Sequence, residues 1–161
     1  MFSKGLKIYF DRFQWKNTEL NDFVGALEEA WQESKDQSMG PEFNLTSWCD
    51  SWLKTSGVNI IEPVIELTPD GKVKSLQIRQ TCDLRGQNRL RQHKLDIAIY
   101  QRGFLLVDQP HVIKDVVISE ELTTIDVSQL PDGLVFGAVN INHGEYAYAK
   151  VRYDPTSVKW F

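Results

Sequence analysis

The sequence has little of the chemistry from which catalytic sites are built. Its 161 residues include two cysteines, Cys49 and Cys82, and three histidines, His93, His111 and His143. No histidine belongs to a His-Glu-x-x-His pattern, and the cysteines lack the spacing of a metal-ligand pair. His143-Gly144-Glu145 matches the first half of a zinc deaminase signature, but the Pro-Cys-x-x-Cys half is missing, so His143 reads as a turn residue. A Gly-x-Ser-x-Gly elbow is absent, and the glycines are scattered rather than gathered into a phosphate-binding loop. No apolar run approaches the roughly 18 residues of a membrane span. The opening MFSKGLKIYF is too short and too interrupted by lysine for a secretory signal. Two thiols without such a signal are best read as free cysteines in a reducing compartment, which points to the cytoplasm. Asn44-Leu45-Thr46, formally a glycosylation sequon, then reads as a helix cap.

A net charge of −4 gives no reason to expect nucleic acid or an anionic membrane as partner. Arg85 to Lys94 is the one basic cluster. It has no interleaved aromatic to stack on bases and reads as a solvated loop before a strand. Glu28-Glu29 and Glu120-Glu121 are adjacent carboxylates whose side chains diverge in regular structure, so neither forms an acid/base pair. Cys49 falls on an apolar helix face with no cation placed beside it, the setting of an inert thiol. From the residues alone the catalytic, cofactor and metal positions are therefore none.

What the chain does have is a change of period. Phe2, Leu6, Tyr9, Phe10 and Phe13 form a stripe that predicts a helix over about 2–13, broken at Gln14-Trp15-Lys16. Asn17 or Thr18 is placed to cap a second helix with Leu20, Phe23, Val24, Leu27 and Trp31 on one face. After a loop containing Gly40 and Pro41, a third helix is predicted from Asn44 to Gly57. Leu45, Trp48, Cys49, Trp52 and Leu53 share one face, Asn44 or Thr46 caps its start, and Gly57 stands at C′. Three short helices this rich in large aromatics struggle to cover that surface by themselves, so the expectation is that they pack on the strand region or belong against something now missing.

From Val58 the apolar residues alternate. A strand to Leu67 and one from Lys72 to Gln80 flank Thr68-Pro69-Asp70-Gly71, a hairpin turn. Beyond the polar loop 81–92, Leu95, Ile97 and Ile99 point one way and Asp96 and Ala98 the other. Gln101-Arg102-Gly103 is a tight turn into 104–107, and further strands are predicted over 112–118, 121–127, 134–140 and 146–153. Pro131-Asp132-Gly133 and Asn142-His143-Gly144 separate the last three. The pattern predicts an α+β chain: three N-terminal helices followed by an antiparallel β-sandwich of about seven to eight strands.

Four blocks then occur in a familiar order. Gly5 to Trp31 has a Gly-Leu…Tyr helix, a Trp-x-Asn-Thr turn and a helix containing Ala-Leu-Glu. Trp48 to Asn59 has Trp-x-x-x-Trp followed by Gly-Val-Asn. Leu90 to Tyr100 opens with Leu-Arg-Gln-His-Lys-Leu, and Tyr146 to Pro155 contains Tyr-Ala-Lys-Val-Arg-Tyr-Asp-Pro. Together they resemble the zinc aminopeptidases of the aminopeptidase N family, with Gln92 where the family has proline. The resemblance implies a gluzincin whose thermolysin-like catalytic domain carries the zinc motif, followed by a β-sandwich and a large helical cap. It maps residues 1–57 onto the C-terminal end of the catalytic domain, 58–154 onto the sandwich, and 155–161 onto a connection to a missing C-terminal domain. It begins after the zinc motif, so no zinc ligand, general base or transition-state tyrosine carries over, and zinc belongs to the full-length parent only. The reading that follows is a non-catalytic fragment that joins catalytic and cap domains and is inactive alone. Its partners would be the remaining domains of the parent, or further copies through exposed helix faces. The alternative is a stand-alone scaffold or protein-binding module, as in relatives that have lost catalysis. A third reading is a small hydrolase built on Cys49 or His93, for which no motif speaks.

Overall fold

The structure, a computed structural model, describes residues 1–34, 39–40, 42–83, 89–103 and 109–161. It divides into two compact units, Met1–Ser56 and Gly57–Phe161. The expected strand over 104–107 and residues 84–88 of the polar loop 81–92 fall outside the described residues.

The first unit holds α1 (Phe2–Phe13), α2 (Leu20–Ser34) and α3 (Leu45–Leu53). Val24, Leu27, Leu45 and Cys49 make its small core, with Phe23, Trp31, Phe43 and Trp48 packed around them. α1 and α2 approach closely at Gly5, where a β-carbon would stand 2.6 Å from Leu27 Cδ2 and 3.1 Å from Leu27 Cα. This explains why Gly5 is the buried residue of α1. Tyr9 packs on Phe13 and edge-on to Phe23, and its hydroxyl pairs with the Thr18 hydroxyl at 2.6 Å. Thr18 is thereby drawn away from the capping role expected of it. The start of α2 is instead held by the Asp22 carboxylate, which accepts from the Glu19 amide at 2.9 Å. Asn44 does cap α3, accepting from the Ser47 amide at 2.7 Å. That helix ends at Lys54 rather than at Gly57. Gly57 still takes φ +92°, in the left-handed region that suits glycine, but does so as the first residue of the second unit.

Part of the expected apolar stripe lies outside this core. Phe2 and Phe10 are exposed, and Trp15 is 98% exposed at φ +63°, a conformation unusual for a bulky side chain.

The second unit is a two-sheet sandwich. One sheet has the order β5-β2-β1-β7 and the other β4-β3-β6. The strands are β1 (Asn59–Leu67), β2 (Val73–Cys82), β3 (His93–Gln101), β4 (His111–Ile118), β5 (Leu122–Ile125), β6 (Phe136–His143) and β7 (Lys150–Val151). Alternation delivers Ile61, Leu76, Ile78 and Ile125 from the first sheet to the shared core. The second sheet supplies Leu95, Ile97, Ile99, Ile113, Phe136 and Ile141. The Thr68–Gly71 turn forms as expected: Thr68 Oγ1 accepts from the Lys72 amide, and Gly71 takes φ +82°. The turn also ties the sheets together, because the Phe136 amide donates to the Gly71 carbonyl at 2.9 Å.

Two features depart from the expected antiparallel arrangement of the sandwich. The strand expected over Tyr146–Tyr153 shrinks to Lys150–Val151 and runs parallel to β1. Asn142 explains this. Its side chain donates to the Ala147 carbonyl at 2.9 Å and accepts from the Ala147 amide at 3.0 Å. That closed turn occupies the backbone that would otherwise begin the strand. Residues 155–160 form α4 (Pro155–Trp160), a helix the sequence pattern did not reveal. Asp154 caps it through the Thr156 and Ser157 amides, with proline in the first turn. Ser157 is fully buried, and its hydroxyl accepts from the Val139 amide at 2.9 Å on the outer edge of β6. Gly137 lets Trp160 come close, since a β-carbon there would meet Trp160 Nε1 at 3.0 Å. Trp160 in turn stacks on Tyr100 at 4.8 Å.

Two substitutions test these contacts. Gly5→Ala should overpack the α1–α2 crossing and destabilise the chain by about 1–2 kcal/mol, read as a lowered urea midpoint. Ser157→Ala should cost about 1–3 kcal/mol by stranding the Val139 amide, with Ser157→Thr closer to wild type than Ser157→Ala.

Candidate functional site

Among the described residues, a buried polar constellation lies inside the sandwich, at the β1–β2–β3 end. Asn59, Gln80, Arg91 and His93 are all buried there. Asn59 sits on β1, Gln80 on β2 and His93 on β3, so the cluster bridges the two sheets. Asn59 Oδ1 accepts from the Arg91 amide at 3.2 Å and lies 3.3 Å from His93 Nε2. Asn59 Nδ2 donates to the Arg89 carbonyl at 2.7 Å. Gln80 Nε2 donates to the Arg91 carbonyl at 3.0 Å, while the Gln80 amide donates to the Glu121 carbonyl at 2.8 Å. Just outside, Asp83 accepts from the Val58 amide at 3.0 Å and from Lys150 Nζ at 2.6 Å. The Lys150 bond, then the amide, hold the Asp83 carboxyl below its usual range.

The part of the basic cluster from Arg91 to His93 is therefore not a solvated loop. Arg91 is 3% exposed and His93 4% exposed. The reason is strand parity: Arg91, His93 and Leu95 alternate inward with Gln92 and Lys94 outward. Lys94 pairs with Asp115 at 2.6 Å on the surface. Burial, and then the Arg91 charge, push the His93 imidazole down to about 4. It is a neutral hydrogen-bonding group inside a protein core.

Cys49 lies in the core of the helical unit, and burial followed by the Asp50 and Glu28 carboxylates pushes its thiol up. A protonated thiol is a poor nucleophile. Cys82 is half-buried, and both cysteines are free. His143 ends β6 ahead of a turn in which Gly144 and Glu145 take left-handed φ values of +80° and +58°. Glu28 accepts from Gln32 and Glu29 pairs with Arg12 at 2.8 Å, which gives each a surface role.

Zinc, implied by the resemblance for a whole peptidase, needs about three protein donors converging on one point. Among the described residues no group of three His, Cys, Asp or Glu side chains could hold a metal ion. These residues do not fit the metal, and no chemical step runs through it here. No helix among them is long and apolar enough to cross a membrane.

Among the described residues, the outer surface offers a cleft beside a strand edge. It has a volume of about 350 Å³ and lies where the chain leaves β7, lined by Pro63, Val64, Arg79, Arg152, Tyr153 and Pro155. Glu62 stands between Arg79, at 3.1 Å, and Arg152, at 4.0 Å. Sequence reasoning missed this cleft because it arises from β7 ending after two residues.

No family model matches the chain. Its sequence is 35% identical to aminopeptidase N of Streptomyces lividans over 164 aligned residues, covering 98% of this chain and 18% of that protein. Among solved structures it resembles Legionella pneumophila aminopeptidase A in complex with aspartic acid. There the TM-score is 0.54 at 12% identity, over 93% of this chain and 15% of the other. The second likeness speaks for the fold, and the first marks the chain as an aminopeptidase-related segment. The chain spans less than a fifth of either relative's length.

The buried histidine generates a pH dependence. An unfolded histidine titrates near 6.5, and His93 in the fold near 4. Between those values the unfolded chain binds a proton that the folded chain refuses, so stability is full above about 6.5 and falls as pH drops toward 4. The loss attributable to His93 should reach about 3 kcal/mol. Between pH 7 and 4.5 the urea midpoint should fall further in the wild type than in His93→Gln, where the loss from carboxylates such as Asp83 remains.

Proposed function

We propose that this chain is a non-catalytic part of an aminopeptidase, placed to join the peptide-cleaving domain to the domain that follows. The single observation that carries the reading is the 35% identity to aminopeptidase N over 98% of this chain. The chemistry of the described residues supports it. The polar cluster at Asn59 and His93 is spent on holding the sheets together, and the Cys49 thiol is buried and protonated. The exposed aromatics of the helical unit support it as well. Phe2, Phe10 and Trp15 form apolar surface that a stand-alone unit has no physical reason to keep. In a larger protein the same surface lies against the remaining domains. Removal of N-terminal residues from peptides, with zinc and a cytoplasmic setting, belongs to that larger protein in this reading.

A second reading is a scaffold module that engages a separate protein. Tyr146 and Tyr148, 76% and 73% exposed beside the Gly144 turn, favour it, since aromatic side chains on a rigid turn make good interface anchors.

The test has two arms. The purified chain, assayed with added zinc on alanyl- and leucyl-anilides, should show no turnover; activity removed by a chelator would overturn the reading. Replacing the matching segment of the Streptomyces enzyme with this chain should restore activity that a deletion of that segment abolishes. A soluble, folded chimera without activity would favour the scaffold reading.

A further inference from the structure

We propose that the outer edge of β1, from Pro63 to Leu67, receives the carboxyl-terminal end of an extended peptide as an added antiparallel strand. The observation that starts the argument is the length mismatch between β1 and its neighbour. β1 runs over nine residues and pairs with β2 along its whole length. β7 pairs only with Ile60 and Ile61. Among the described residues, β1 from Glu62 onward has a strand on one side only.

Backbone parity identifies which groups face outward. The Ile61 carbonyl accepts from the Arg152 amide at 2.9 Å, so Ile61 directs its main-chain groups away from β2. Pro63, Ile65 and Leu67 share that parity. Proline has no amide to donate, and proline on the exposed side of an edge strand is the usual arrangement. The edge therefore presents the Pro63 carbonyl and the amides and carbonyls of Ile65 and Leu67, a ladder of about 13–17 Å. Such a row is complementary to extended backbone and to little else.

Charge selects the end of the incoming chain. The cleft beside β7 opens onto the Glu62 end of this edge and contains Arg79 and Arg152. Glu62 is held by Arg79 at 3.1 Å, and Arg152 reaches it only at 4.0 Å, with 65% of its side chain exposed. The Arg152 guanidinium is thus placed to accept a second carboxylate at small cost. A peptide lying antiparallel to β1 brings its last residue to this end, and its terminal carboxylate to Arg152. Antiparallel addition is also the more stable ladder. A second copy of this chain is a weaker fit. Edge-to-edge pairing of two β1 strands buries no carboxylate at Arg152 and sets proline into both ladders. The inference stands on the sandwich alone and does not rest on the joining role.

The probe is an acetylated hexapeptide of alternating threonine and valine, as the free acid and as the carboxyl-terminal amide, titrated into the ¹⁵N-labelled full chain. The acid should shift the Ile65 and Leu67 amide signals, and the amide should bind about tenfold more weakly. Arg152→Ala, whose backbone bond to Ile61 is untouched, should lose the same factor for the acid and nothing for the amide. The proposal is overturned if neither amide signal moves at millimolar peptide, or if acid and amide bind equally. It is also overturned if the Ile65 and Leu67 signals change with protein concentration alone while sedimentation shows a dimer, which would give the edge to a second copy.

Discussion

The carboxamide of Asn59 closes one end of the sandwich. A core of aliphatic side chains sets the distance between two sheets but not their register, because dispersion and burial have no direction. Hydrogen bonds do. Asn59 on β1 takes the Arg91 amide and the Arg89 carbonyl of the chain entering β3, and reaches His93 as well. Gln80 on β2 adds a second bond to the same segment. Inside a low-dielectric core each of these groups is costly if its partner moves, so only a narrow range of sheet positions is tolerated. At the opposite end the Gly71 carbonyl takes the Phe136 amide and performs the same service through backbone alone.

The edges of the sheets follow from this arrangement. β6 is an edge strand, and α4 covers it by giving the Ser157 hydroxyl to the Val139 amide. The cap at Asp154 and the proline that follows turn the chain off β7 and onto β6. The same turn that protects one edge leaves the other short of a partner, and the cleft at Arg152 is the space left behind. Covering the edge of one sheet therefore leaves the edge of the other open beside that cleft. The helical unit has a different imbalance: among the described residues its small buried core is outnumbered by aromatics on or near the surface.

Much of the architecture was legible from residue pattern. The helices at Phe2–Phe13 and Leu45–Leu53, the Asn44 cap, the Thr68–Gly71 turn and the two-sheet class all follow from period and turn chemistry. The inward role of Arg91 and His93 was not legible, since a basic run reads as solvated until a partner such as Asn59 is known to face it. The exposure of Phe10 was equally hidden: a helix stripe shows which face is apolar but not how wide a face its neighbour covers.

The sequence by itself determined the local structure: where helices and strands lie, where turns fall, and that no familiar catalytic motif is present. Its likeness to a stretch of aminopeptidase N is also a property of the sequence, and it carries the functional reading. Tertiary structure alone decided that His93 is neutral and buried, that Asn142 shortens the last strand by closing on Ala147, and that α4 turns back onto β6. The physical reason is common to all three. Each depends on where a polar group comes to lie, His93 in the core, the Asn142 carboxamide on Ala147 and the Ser157 hydroxyl at Val139, and no pattern of apolar residues encodes that.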